Sequence, residues 1–179
     1  NLSEAFKLPV TVLSEAKIIG FYDNIRDKFR LEVFTPSIKA AGMNIRSGYV
    51  VLRNPEETLE SQINALILGK KESVNDIAIS SSIKENQINT NISLINNGEK
   101  KAKGDFSIST SFAKEDKGPL IMDINTYPSE LLLNNANWKM DKSNIKIDNG
   151  TFTVNNFYVY NENGDQEIKI NGKYSPKTR

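Results

Sequence analysis

Apolar and polar residues alternate along most of the chain with a period of two, which marks strands with one greasy and one wet side. Ile88, Thr90, Ile92 and Leu94 share one side, with Asn89, Asn91 and Ser93 between them. Phe106, Ile108, Thr110 and Phe112 repeat the pattern, followed by Leu120, Met122 and Ile124. Further on come Trp138 and Met140, Ile145 and Ile147, Phe152 and Val154, Phe157 and Val159, then Ile168 and Ile170. Upstream, Leu31-Val33-Thr35 and Ile77-Ile79-Ser81-Ile83 alternate in the same way. The chain holds 22 Asn, and Asn97, Asn149, Asn163 and Asn171 each precede Gly. Asn-Gly accepts positive φ at both central positions of a type I′ turn, so these pairs punctuate hairpins. About ten to twelve short strands are expected, and the fold class is all-β.

One stretch reads two ways. In "NPEETLESQINALILG", Asn54 suits an N-cap, Pro55 the first helical position and Gly69 the end of a helix. The same residues alternate as Leu59, Ser61, Ile63, Ala65 and Ile67, and the all-strand neighbourhood favours a strand. No second composition regime and no long linker interrupts the 179 residues, so residues 1–179 are expected to form one domain. The absence of an initial Met and the polar ending "KYSPKTR" suggest a segment excised from a larger chain. The hairpin units are similar without a strict period, which points to an elongated meander.

Composition narrows the chemistry. Apolar residues make up 38% and charged residues 25%, which fits a folded body lean in core. Twenty-three basic and 22 acidic residues are interspersed along the chain, so no concentrated basic patch is available for nucleic acid. With no Cys and no His, disulfides, thiolate zinc sites and the commonest general base are all missing. The longest clean apolar run, Ala65-Leu66-Ile67-Leu68, falls far short of the roughly 20 residues of a spanning helix.

The remaining motifs are weak. Ser14–Lys17 and Ser143–Lys146 have the Ser-x-x-Lys spacing of acyl-transfer enzymes, but the second lies in an alternating strand that sends the two side chains to opposite faces. "NENGD" spaces Asn161, Asn163 and Asp165 like a calcium loop, yet its Gly comes early and no Glu closes it, so a hairpin turn is expected. Glu56-Glu57 and Glu115-Asp116 are adjacent acids with no sign of a cleft between them. Asn91-Ile-Ser and Asn149-Gly-Thr match glycan acceptors in a chain where such triplets are common. Neither catalysis nor a cofactor or metal is expected. Trp138, Tyr158 and Tyr160 could form a sugar-stacking platform; the plainer reading lets Tyr158 and Tyr160 cover the outer side of a strand whose Phe157 and Val159 point inward.

From Met122 to Ser175 the order of elements is distinctive: a strand, Pro-Ser with "ELLLNN", a Trp-containing strand, "KSNIKIDNG", "FTVNNFYVYN" and "QEIKINGKYS". This order resembles the TamB-like proteins, the translocation and assembly module family of the AsmA-like group, in versions from Bacteroides-type bacteria. "EKKAKGDFSISTSF" looks like the preceding repeat, so the resemblance covers roughly residues 88–175. It implies a periplasmic segment of a protein anchored in the inner membrane and reaching a BamA-like outer-membrane barrel. The implied architecture is an elongated, curved antiparallel sheet, an open half-barrel or β-taco. Its apolar concave side would carry phospholipid acyl chains between membranes and serve outer-membrane protein assembly.

The alternation supplies the wall of such a groove. Ile88, Ile92, Leu94, Phe106, Ile108, Phe112, Leu120, Met122, Ile124, Leu131 and Leu133 are the expected lining of its first part. Trp138, Met140, Ile145, Ile147, Phe152, Val154, Phe157, Val159, Ile168 and Ile170 complete it. Sheltering a methylene is worth about 0.8 kcal/mol, so half-efficient shelter of a 16-carbon chain supplies on the order of 6 kcal/mol without fixing its position. The alternatives are a closed β-sandwich binding glycan or protein at its surface, and a spacer filled by its own side chains.

Overall fold

The computed structural model describes residues 10–40, 43–68, 74–99, 101–114 and 118–175. Fourteen strands join in one antiparallel sheet, and no helix occurs among the described residues. The strands are β1 (Val10–Val12), β2 (Lys17–Asp23), β3 (Lys28–Ala40), β4 (Met43–Arg53), β5 (Leu59–Leu68), β6 (Val74–Lys84) and β7 (Gln87–Asn96). They continue as β8 (Ala102–Lys114), β9 (Leu120–Thr126), β10 (Ser129–Leu133), β11 (Ala136–Met140), β12 (Ser143–Asp148), β13 (Thr151–Asn161) and β14 (Glu167–Tyr174).

The strand pairing follows a simple plan. β1 and β2 both pair with β3, lying end to end along it. β9 and β10 likewise share β8, and β11 and β12 share β13. Merging these three end-to-end couples turns fourteen strands into eleven rows, each following its neighbour in sequence order. The fold is therefore an up-and-down meander. Its outer rows, β1–β2 and β14, have no strand on their far side among the described residues, so the curved sheet does not close into a barrel.

Turn chemistry sets the rows. Asn149 and Gly150 both take positive φ (48° and 72°), the type I′ turn that joins β12 to β13. Asn134 and Asn135 (52° and 66°) do the same between β10 and β11, where no Gly marks the turn. By contrast, Asn171-Gly172 lies inside β14 rather than at a turn, with Gly172 opposite Val154. The ambiguous stretch resolves as a strand from Leu59, since β4 and β6 hydrogen-bond it on both sides; Gly69 lies outside the described residues. Ladder bonding with two neighbours outweighs helix-like end signals.

Three adjacent rows are broken at one level: at Tyr127-Pro128, at Asp141-Lys142 and at the bulge between Val154 and Phe157. Asn156 adopts φ 58° within that bulge. Across the breaks, the Tyr127 amide donates to the Ser107 carbonyl (3.1 Å) and the Asp141 amide to the Tyr158 carbonyl (3.0 Å). The ladder thus survives while each row shifts its alternation by one residue.

The sheet has little core. Among the described residues every strand belongs to the one sheet and elements in appreciable contact are those that share a ladder, so no separate sheet or helix layer packs on it. Among the described residues, Val51, Leu131, Met140 and Val159 are the buried apolar ones, and no large side chain is fully buried. The accessible surface is 12999 Å² for 20.1 kDa, whereas a compact globule of that mass exposes about 8,700 Å². That excess is the signature of a single layer.

Candidate functional site

Residues opposite one another in a ladder point to the same face, so the registers can be followed across the sheet. One line runs Ile79, Ile92, Phe106. A second runs Ile77, Leu94, Gly104, Leu131, Trp138. A third runs Phe112, Met122, Ile147, Phe152, with Leu120 opposite Lys114 beside it. Ile88, Thr110, Ile124, Ile145 and Val154 form a fourth. Met140, Val159 and Ile168 form a fifth, flanked by Phe157 opposite Ile170. Ile108 sits opposite Thr126, and Leu133 opposite Ala136. Every residue expected to line the groove lies on one face.

That face extends beyond the residues expected to line the groove. Ile18, Leu31, Val33, Val50, Leu52, Leu59, Ile63 and Ile83 continue it through β2–β6 by the same registers. Leu31, Val33, Leu59, Ile63 and Ile83 were legible as alternating strand residues but were not counted in the lining, and Ile18, Val50 and Leu52 carry the same period of two. Eleven rows at about 4.8 Å spacing give an apolar face about 48 Å long. With strands of roughly ten residues its projected area is on the order of 1,500 Å², well beyond the few hundred Å² that monomeric surfaces expose in one patch.

Most of these side chains are half-buried by neighbours in adjacent rows, and Phe152 and Ile170 remain 42% and 49% exposed. Leu131, Met140 and Val159 are buried; at Leu131 the reason is Gly104, where a Cβ would stand 2.7 Å from the Leu131 Cδ2 and 3.2 Å from the Phe106 ring. The missing side chain lets Leu131 and Phe106 close over the backbone. Glycine is required there for that close approach.

A row of hydroxyls crosses the middle of the greasy face. Ser61, Ser81, Thr90, Ile108, Thr126 and Ser143 are consecutive register partners. Ser81 Oγ and Thr90 Oγ1 are 3.1 Å apart, and Thr126 Oγ1 and Ser143 Oγ 2.7 Å. Four of the five hydroxyls satisfy one another in these two pairs, which keeps their burial inexpensive. They divide the face into two apolar lobes, with Ile108 the one aliphatic residue in the dividing line.

The opposite face is polar. The Asn144 amide donates to Asp123 (2.7 Å) and to Asn125 (3.2 Å), Asn125 donates to Asp123 (2.9 Å), and Asn155 donates to Asn144 (3.2 Å). Arg30 pairs with Glu32 (2.5 Å) and Arg53 with Glu60 (2.7 Å). The Arg30 hydrogen bond, and secondarily that from Tyr49 (3.0 Å), hold the Glu32 carboxyl below its usual range. Hydrogen bonds from Asn137 and Lys139 lower Glu162 likewise. A hollow of about 270 Å³ opens on this side among Arg30, Tyr49, Val51, Arg53, Gln62 and Asn89.

The chemical candidates separate as follows. Ser143 is buried on the apolar face while Lys146 lies on the polar one, so the Ser-x-x-Lys pair is split. Asn161 closes its own turn, accepting from the Gln166 amide (3.3 Å) and donating to Asp165. Glu115 and Asp116 lie outside the described residues. No group of three metal-ligating side chains forms among the described residues. Trp138 faces the apolar side and Tyr158 and Tyr160 the polar side. The two tyrosine rings stack on each other at 4.8 Å and Lys169 lies 5.5 Å over Tyr158, so they do not offer one flat platform.

No family model matches the chain, and no curated protein or solved structure matches it significantly.

Proposed function

We propose that this chain is a segment of a periplasm-spanning, TamB-like bridge whose apolar face carries phospholipid acyl chains between membranes. The observation that carries the reading is an aliphatic and aromatic face running through every row, on which no separate layer packs among the described residues. An uncovered face of that size is strongly unfavourable in water unless something apolar occupies it. Acyl chains fit because the contacts are non-directional and the long axis of the face crosses the strands. Each sheltered methylene contributes up to about 0.8 kcal/mol, and an open face delivers a fraction of that. Such binding holds a lipid and lets it slide. The chemistry needs no nucleophile, cofactor or metal. In the full-length protein the conduit would lead from an inner-membrane anchor to a BamA-like outer-membrane barrel, in the service of outer-membrane assembly.

Native mass spectrometry of the purified chain tests this directly. The expected result is co-purified phospholipid, lost in Ile108→Glu, which places a charge between the two lobes. If the chain carries neither lipid nor detergent and Ile108→Glu changes nothing, the conduit reading fails. The glycan-binding alternative is opposed by the stacked Tyr158–Tyr160 pair.

A further inference from the structure

The chain holds four Asn-Gly pairs, and the fold treats them unequally. Asparagine followed by glycine can react with itself, because no side chain on the glycine hinders its amide nitrogen from reaching the asparagine Cγ. The reaction needs that amide free, since the nitrogen must lose its proton before it forms a new bond. Three of the pairs are tied. The Gly98 amide donates to Asn96 Oδ1 (2.7 Å) and the Gly164 amide to the Asn161 carbonyl (3.0 Å). Asn171-Gly172 lies inside β14 with Gly172 opposite Val154, and Asn171 Oδ1 accepts from the Asn156 amide (3.3 Å). Asn149-Gly150 differs from all three. It is the exposed two-residue loop beyond Asp148 and Thr151, the last ladder pair of β12 and β13. Among the described residues, nothing hydrogen-bonds the Asn149 side chain or the Gly150 amide, and a Cβ at Gly150 would meet nothing within 4 Å.

We propose that Asn149-Gly150 is a site of spontaneous covalent modification, with water as the only other reactant. The Gly150 nitrogen, losing its proton to hydroxide, attacks Asn149 Cγ. The Cγ–Nδ2 bond breaks, ammonia leaves, and a five-membered succinimide closes. Water then opens the ring. Cleavage between the nitrogen and Cγ gives aspartate in the original chain path. Cleavage between the nitrogen and the Asn149 carbonyl carbon gives isoaspartate, with the chain rerouted through Cγ. The sum is asparagine and water to acid and ammonia, with no change of oxidation state. The two products act differently on the fold. Asp-Gly suits a type I′ turn as Asn-Gly does, so aspartate keeps the hairpin. Isoaspartate adds one backbone atom to a loop whose length sets the register, so the ladder opens from Asp148–Thr151 toward Ile147–Phe152. This chemistry is independent of what the apolar face carries.

The test is to incubate the folded chain in mildly alkaline buffer, digest it, and assign each site by fragmentation mass spectrometry. Asn149 should convert first, about tenfold or more ahead of Asn171, which a ladder holds, and about threefold or more ahead of Asn97 and Asn163. In urea the four pairs should converge to within about twofold, because the protection resides in the fold. Hydrogen exchange should quicken at Thr151 and Phe152 in the isoaspartate fraction and stay unchanged in Asn149→Asp. Asn149→Gln, whose longer side chain cannot close a five-membered ring, should remove the early product and leave the other three rates as they were. First conversion at Asn97, Asn163 or Asn171 overturns the proposal. So does an unmodified Asn149 in folded protein after the time in which urea-unfolded protein has reacted at all four pairs. Equal rates at the four sites in the folded chain would show that the fold exerts no selection, and would also overturn it.

Discussion

The two faces of this sheet share the same backbone ladders and differ in everything their side chains do. On the polar face, Asp123, Asn125, Asn144 and Asn155 hydrogen-bond to one another across three rows, and arginines pair with glutamates. Its needs are met within the sheet and by water. On the apolar face, the hydroxyl line through Ser81, Thr90, Thr126 and Ser143 is satisfied in this way, and so is the Asn75–Asn96 pair at the end of its rows (2.7 Å). The side chains around it lie beside those of neighbouring rows, and among the described residues no separate layer covers them. One face is complete alone, and the other calls for an occupant. Backbone pairing over eleven rows makes this asymmetry tolerable, because it fixes the sheet without a second layer.

The largest effect should come from disturbing the incomplete face. Ile108→Glu is expected to abolish retained phospholipid in native mass spectrometry while leaving the strand content seen by circular dichroism intact. Asn91→Glu, one row away on the polar side, should leave the lipid in place. Equal loss from both substitutions would mean that bulk charge, not the face, governs binding. Next comes Leu131→Ala. Leu131 is buried over Gly104, so its truncation should cost about 2–3 kcal/mol in urea unfolding. A cost under 1 kcal/mol would show that the apolar lobes contribute little to stability even where they are packed best.

The sequence carried the fold class and the facing of residues further than it carried the site. Period-two alternation located strands such as β7 and β8 and placed Ile92 with Phe106, because facing within a strand is a local property. Register between strands is not local. The alignment of Ser61, Ser81, Thr90, Thr126 and Ser143 into one line depends on the lengths of intervening turns and bulges. Pro128 hinted at an interruption, but Asp141-Lys142 and Asn155-Asn156 carry no comparable mark, and their coincidence at one level emerges only from pairing. Asn171-Gly172 looks like Asn149-Gly150 on paper; one turns and the other continues a strand, since β13 offers Gly172 a ladder partner. Openness was equally hidden, because Ile79 and Ile92 alternate alike whether a second layer covers them or not.

A smaller effect is expected on the complete face. Asn144→Ala removes the centre of the amide ladder, where Nδ2 donates to both Asp123 and Asn125 and Oδ1 accepts from Asn155. These groups remain within reach of water, so each lost bond is replaced and the cost should stay below about 1 kcal/mol. Lipid retention should not change. A destabilisation as large as that of Leu131→Ala would reverse the assignment of which face holds the sheet together.

The smallest effect is a pH dependence confined to the polar face. Glu32 accepts from Arg30 (2.5 Å) and from the Tyr49 hydroxyl (3.0 Å), and both bonds favour its ionised form. Its folded carboxyl therefore titrates below the ordinary glutamate value, so the folded state releases this proton at lower pH than the unfolded chain. The resulting stabilisation is present above the ordinary glutamate range and disappears as pH falls through the depressed folded value. Exposure keeps it small, and salt should reduce it further. Carboxyl NMR titration should find Glu32 shifted down, returning most of the way in Arg30→Gln and partly in Tyr49→Phe, since the guanidinium bond is the larger cause. Across the same range phospholipid retention should stay flat, because the apolar face holds no titrating group along the line from Phe112 through Met122 and Ile147 to Phe152. Retention that followed the Glu32 titration would tie the two faces together and end the division of labour between them.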